Sequence, residues 1–170
     1  ELALLYTMNQ EVFEGDDFYR ITLDGYDPDL LKKICKGFTL RMINCESETA
    51  AAAACREYIA KDFNVEYLYN QRKIPDPRID VQLIMKAIEA KHHIVVDSFY
   101  NGVGGELQYA GSLINDYLLD YFMQRGVLVI QVHDAFIVTK EHEADLQVCM
   151  KRAFVDVLGF DDNVKITKEF

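Results

Sequence analysis

The sequence predicts an α+β fold, mainly helical, with a small antiparallel sheet near its C-terminal end. Three observations predict it. Apolar residues recur at helical spacing over most of the chain. Two short β-branched, apolar runs, 127–132 and 135–139, are separated by only two residues, which is hairpin spacing. Strands and helices do not alternate along the chain, which argues against a doubly wound parallel sheet.

The first expected element is a helix over 1–14, with Leu2, Leu4, Leu5, Met8, Val12 and Phe13 on one broad apolar side. Gly15-Asp16-Asp17 breaks it, and Asp17 can cap a short turn running to Leu23. Asp27 then precedes Pro28, a cap followed by a residue suited to the first helical position, so a helix opens there and runs to about Asn44. Ser47 with Glu48 starts the next, whose alanine run 50–54 favours helix and close packing. The stretch 64–78 contains Pro75 and Pro77 and reads as a connector, the best place for a subdomain junction. An amphipathic helix is expected over 79–92. Asn101-Gly-Val-Gly-Gly is a break, and a long helix over 106–125 ends at Gly126. After the hairpin come a helix over 141–158 and an alternating edge strand over 164–168.

A chain of 170 residues is long enough for one ordinary domain and its core. No apolar run approaches the roughly eighteen residues of a membrane span, and the opening lacks the basic flank of a signal peptide. The expected setting is therefore cytoplasmic, without a membrane partner. The first residue is not Met, so the chain is expected to be a processed one or a part of a longer polypeptide with other domains. The four cysteines form no Cys-x-x-Cys pair, and Cys35 and Cys149 fall at core-like helical positions, so all are expected to be reduced packing residues. Cys45 and Cys55 could approach His92 and His93 as a zinc set, but no spacing asks for it. The net charge of -10 argues against simple electrostatic wrapping of nucleic acid, although it does not exclude an enzyme that holds divalent cations with carboxylates.

The dyad His133-Asp134 falls at the expected hairpin reversal. A tight turn at the end of a sheet leaves a carboxylate open while the strands fix its position, a good mount for a metal ligand. Asp is also simply a favoured turn residue. A His-Asp metal phosphohydrolase would carry its dyad on helices, whereas here the flanks are strand-like. Neither Ser98 nor Ser112 lies in a Gly-x-Ser-x-Gly elbow, so a nucleophilic triad is weaker still.

A second constellation lies on the helix opening at Pro28. Lys32, Lys36, Leu40 and Asn44 recur every four residues and form one slightly drifting stripe. Lys33 and Arg41 add charge beside it, making the one clearly basic patch of an acidic chain. Such a patch is either a solvated face or a site for an anion such as a triphosphate.

These pieces, in this order, resemble the family A polymerases, the group of bacterial DNA polymerase I. Gln131-Val132-His133-Asp134 between apolar strands resembles the family's motif C. Lys32, Lys36, Leu40 and Asn44 resemble its fingers helix, Arg-x-x-x-Lys with an aromatic and then Tyr-Gly at the next two turns. Glu1-Leu-Ala-Leu-Leu and Gly15-Asp16-Asp17-Phe18-Tyr19-Arg20 resemble the segment after motif A, and Gln108 matches the family's helix glutamine. Compact phage- and mobile-element-encoded members, with Val-His-Asp-Ser-Phe beside the Val-His-Asp-Ala-Phe here, look closest.

The resemblance implies template-dependent DNA synthesis by a palm (1–27 and 79–170) with short fingers helices (28–78). Its partners would be a DNA template and primer and nucleoside triphosphates. Asp134 would bind Mg²⁺ (or Mn²⁺) and His133 would position the primer terminus. Lys36 would contact the triphosphate and act as acid toward the leaving pyrophosphate, with Lys32 a further phosphate contact. Leu40 and Asn44 would line the nucleotide, Glu1 would block a ribose 2′-hydroxyl, and Gln108, Gln131 and Arg41 would face nucleic acid. Lys32 stands where the family has Arg and loses the bidentate fork. Leu40 replaces the stacking aromatic, Asn44 replaces Tyr, and Ala135 replaces the Glu of typical members. The motif A Asp is expected a few residues before Glu1, so these residues alone are expected to be inactive. The alternatives that stay open are a non-catalytic polymerase-like binding module and a metal-dependent phosphohydrolase.

Overall fold

The structure is a computed structural model and describes residues 2–133, 135–160, 163 and 165–168. Among them it is mainly helical with one two-stranded antiparallel sheet, the α+β class expected. The chain divides into two compact units, Glu14–Gly105 and Leu2–Phe13 with Glu106–Phe170. The stretch 28–78 lies wholly inside the first.

In the first unit, α2 (Pro28–Asn44) begins where the sequence signals it. The Asp27 carboxylate accepts the Leu30 amide at 2.9 Å, and Pro28 occupies the first turn, where a missing N–H matters least. Leu31, Ile34, Cys35, Phe38, Met42 and Ile43 make its buried face. Against it packs α3 (Glu48–Asp62), capped by the Ser47 hydroxyl and burying Ala51, Ala52, Cys55 and Ile59. The connector expected at 64–78 is partly helical. Asn64 caps α4 (Val65–Asn70) by accepting the Tyr67 amide at 3.0 Å, and Pro75 and Pro77 lie too far along to forbid that turn. Asp80 caps α5 (Val81–Lys91), which buries Val81, Ile84, Met85 and Ile88 and continues into a 3-10 turn, His93–Ser98, that was not expected.

In the second unit, α1 (Leu2–Met8) is shorter than the expected 1–14. Gln10 turns left-handed at φ 55°, and the Gln10 and Glu11 amides fold back onto Thr7 and Tyr6 carbonyls, closing the helix. The following segment is held differently. Asn163 accepts the Phe13 amide at 2.9 Å and donates to the Glu11 carbonyl at 2.7 Å. The long helix α6 (Gly104–Met123) ends in the same way at Gly126, φ 66°, with Val127 N–H on Phe122 O and Gly126 N–H on Met123 O.

Strands β1 (Ile130–Val132) and β2 (Ala135–Ile137) pair with Val132 opposite Ala135, the two-residue reversal the spacing predicts. Helix α7 (Glu143–Leu158) follows a 3-10 turn at Lys140–His142 and ends at Gly159, φ 76°. Ile114, Leu118 and Phe122 of α6 cluster with Leu146, Cys149 and Ala153 of α7, and Val127, Val129, Phe136 and Val138 pack onto that cluster. The edge strand expected over 164–168 is corrected: residues 165–168 form no strand, and Lys168 is instead tied to Glu143 at 2.7 Å. Alternation alone does not make a strand without a neighbour to complete its backbone hydrogen bonds.

Candidate functional site

The hairpin comes first, since it carries the dyad. Its alternation places Gln131 and Phe136 on the half-buried face, while Ile130, Val132, Ala135 and Ile137 stand exposed on the other. The exposed face is thus wholly apolar, and only the face that carries Phe136 is packed within this unit. His133 is exposed and adopts the left-handed conformation, φ 56°, that the first position of a tight hairpin turn requires. The Gln131 side-chain amide donates to the His133 carbonyl at 3.0 Å and braces the reversal from within. Asp134, the expected metal ligand, and Glu1, the expected ribose gate, lie outside the described residues. Gln108 is exposed on the second turn of α6.

In the first unit, the α2 stripe faces outward as its spacing implies. Lys36, Leu40 and Asn44 are exposed and Lys32 is half-buried. The rigidity of the mount is plain from its back face, where Ile34, Phe38, Met42 and Ile43 are fully buried. Asn44 does not reach freely into solvent. Its amide donates to Leu40 O at 2.7 Å and lies against Gly104, filling the space a Cβ there would need. Arg41 is differently committed. Its guanidinium donates to Gly37 O at 2.7 Å and Ala54 O at 3.1 Å and lies 4.1 Å from the Tyr58 ring centre, so it fastens α2 to α3.

Lys32 has a partner that sequence spacing did not reveal. Its ammonium meets the Asp17 carboxylate at 2.6 Å, and that hydrogen bond holds the Asp17 carboxyl below its ordinary value. The sequence offers Asp17 as a turn cap and as part of the segment that resembles the one after motif A. Asp17 does accept the Tyr19 amide at 2.9 Å, but no regular turn runs on to Leu23. The loop is pinned from the C-terminal end of α5. Lys91 donates to the carbonyls of Asp17 and Arg20, each at 2.6 Å, and His92 Nε2–H donates to the Phe18 carbonyl at 2.9 Å. Because a carbonyl can only accept, Nε2 must carry the proton. Burial pushes the His92 pKa down to about 4, so the imidazole is neutral at physiological pH.

The cysteines do not approach a metal set. Cys35, Cys55 and Cys149 are buried free thiols, and burial pushes the first two up to about 12. Among the described residues no group of three His, Cys, Asp or Glu side chains is arranged to hold a metal ion. No helix among them is long and apolar enough to cross a membrane.

Compared with family models, curated proteins and solved structures, the chain matches none.

Proposed function

We propose that this chain is a palm-and-fingers-like part of a template-dependent nucleotidyltransferase, working in DNA-directed DNA synthesis on a primer and template with deoxynucleoside triphosphates. The observation that carries the reading is the two-residue reversal between Val132 and Ala135, with Gln131-Val132-His133-Asp134 running into it. The outward-facing Lys32 to Asn44 stripe, earlier in the chain and on a firmly packed helix, adds to it.

In this reading the primer 3′-hydroxyl loses its proton to solvent, its oxygen attacks the α-phosphorus, the bond to the β-phosphate oxygen breaks, and pyrophosphate leaves. The exposed Lys36 ammonium neutralises the β- and γ-phosphates and supplies the proton that the leaving pyrophosphate takes up. His133 holds the terminal sugar. Asp134 would be among the residues that hold a Mg²⁺ or Mn²⁺, which when bound would supply activation of the attacking oxygen and stabilisation of the leaving one.

Primer extension by the full-length protein tests this. Asp134→Asn is expected to abolish incorporation while leaving the fold intact, and undiminished incorporation would overturn the reading. A second reading, a polymerase-like module that binds nucleic acid without catalysis, is favoured by the internal pairing of Lys32 and the lack of an aromatic at Leu40. It predicts that wild-type protein binds primer–template yet incorporates nothing. Phosphatase activity without incorporation would point instead to a hydrolase.

A further inference from the structure

The loop Gly15-Asp16-Asp17-Phe18-Tyr19-Arg20 has no regular secondary structure, yet it is held as firmly as a helix end. Lys91 grips two of its carbonyls, His92 a third, and Tyr19 N–H fixes one oxygen of the Asp17 carboxylate. The other oxygen, Oδ2, is left to meet Lys32 at 2.6 Å. The acceptor of this ion pair is therefore the fixed member, and the lysine is the member free to leave. One turn along the same face stands Lys36, exposed and without an ion-pair partner among the described residues. The two ammonium groups of the stripe thus differ: one carries an internal counter-anion and one does not.

We infer that Asp17 is the resident counter-anion of Lys32, a positioning residue that keeps this ammonium beside the stripe and that a nucleoside triphosphate must displace. The inference rests on reading the stripe as a triphosphate site. Its physical consequence is a graded cation pair. Lys36 is immediately available to phosphate, whereas Lys32 joins only when a ligand competes with a carboxylate already in place. Asp17 also relieves the repulsion between two like charges one turn apart, so the stripe holds both lysines in place without a bound anion.

A mainly structural Asp17 and a counter-anion predict opposite changes. Asp17→Asn keeps an oxygen for the Tyr19 amide and leaves the carbonyl grips of Lys91 and His92 untouched, but it removes the charge. Binding of a deoxynucleoside triphosphate with Mg²⁺ to the full chain, followed by calorimetry, is expected to tighten about three- to fivefold in Asp17→Asn, the scale of a partly exposed ion pair. In a Lys32→Gln background the same substitution is expected to change nothing, because the cation it would release is gone. Asp17→Ser gives the same pair of results if Asn disturbs the loop. Weaker or unchanged binding in both Asp17 variants, or tightening that persists with Lys32→Gln, would overturn the inference. Lys36→Gln separates it from the reading beneath. Wild-type protein that does not bind the triphosphate, or binding indifferent to Lys36→Gln, would remove the triphosphate site itself and the inference with it.

Discussion

The ring of Tyr58 on α3 lies over Gly37 on α2, in the space that any Cβ at that position would enter. The ring cannot simply step aside. Arg41 stacks on it, and Phe38 and Phe63 meet its edges with centres 6.4 and 5.3 Å away. Gly37→Ala should gain about 1 kcal/mol of helix propensity. Forcing a methyl into a packed helix crossing costs about 1–3 kcal/mol, so packing wins and the variant is expected to be less stable. Denaturant unfolding checks the sign, and Gly37→Ala combined with Tyr58→Leu should recover most of the loss. A stabilised single variant would show that α2 and α3 are not this close.

A second close approach has a different expected outcome. The Asn44 amide sits where a Cβ on Gly104 would be, but it is the free end of an exposed side chain and can swing away. Gly104→Ala should therefore cost less than about 1 kcal/mol, roughly the Asn44 hydrogen bond to Leu40 O. Its larger effect should be on whatever Asn44 contacts. If Asn44 lines the nucleotide, Gly104→Ala and Asn44→Ala should weaken triphosphate binding to a similar extent. Their effects should not add in the double variant.

These contacts mark how far the sequence could be read. Helix α2 was legible because start signal, periodicity and buried face agree in one local stretch: Asp27, Pro28, then Leu31, Ile34 and Phe38. The hairpin register followed from a two-residue gap, and the end of α6 from Gly126. Helix α4 was obscured because the prolines that forbid helix at 75 and 77 drew attention from the Asn64 cap ahead of them. The ion pair of Asp17 and Lys32 had no local signature at all. It depends on an irregular loop whose course is set by Lys91 and His92, far along the chain, and no periodicity encodes such a tie. The outward apolar face of Ile130, Val132 and Ile137 was equally hidden, since two apolar runs look alike whichever face is packed.

His92 makes the first unit sensitive to acid. Its folded pKa of about 4 lies below the unfolded value near 6.5, so between those values the unfolded chain binds more protons than the folded one. The contribution is fully present above about pH 6.5 and is lost as pH falls toward 4, by up to about 3 kcal/mol. Unfolding free energies measured from pH 7.5 to 4.5 should fall across that window. His92→Gln keeps a donor for the Phe18 carbonyl and should flatten this part of the profile. An unchanged slope in that variant would assign the acid sensitivity elsewhere.

The left-handed backbone of His133 lets the proposed role of its imidazole be tested against the stability of the hairpin. A residue with a Cβ at φ 56° carries strain of about 1 kcal/mol that glycine does not. His133→Gly should therefore stabilise the reversal by up to that amount, less the entropy that glycine adds to the unfolded chain. His133→Val should destabilise it by more, since a β-branched side chain tolerates this region worst. If the imidazole serves only the turn, the glycine variant should be the better protein in every assay. If it holds a primer terminus, His133→Gly should instead unfold at higher denaturant and yet extend primers more slowly in the full-length protein. Faster or equal extension by the glycine variant would assign His133 to the turn alone.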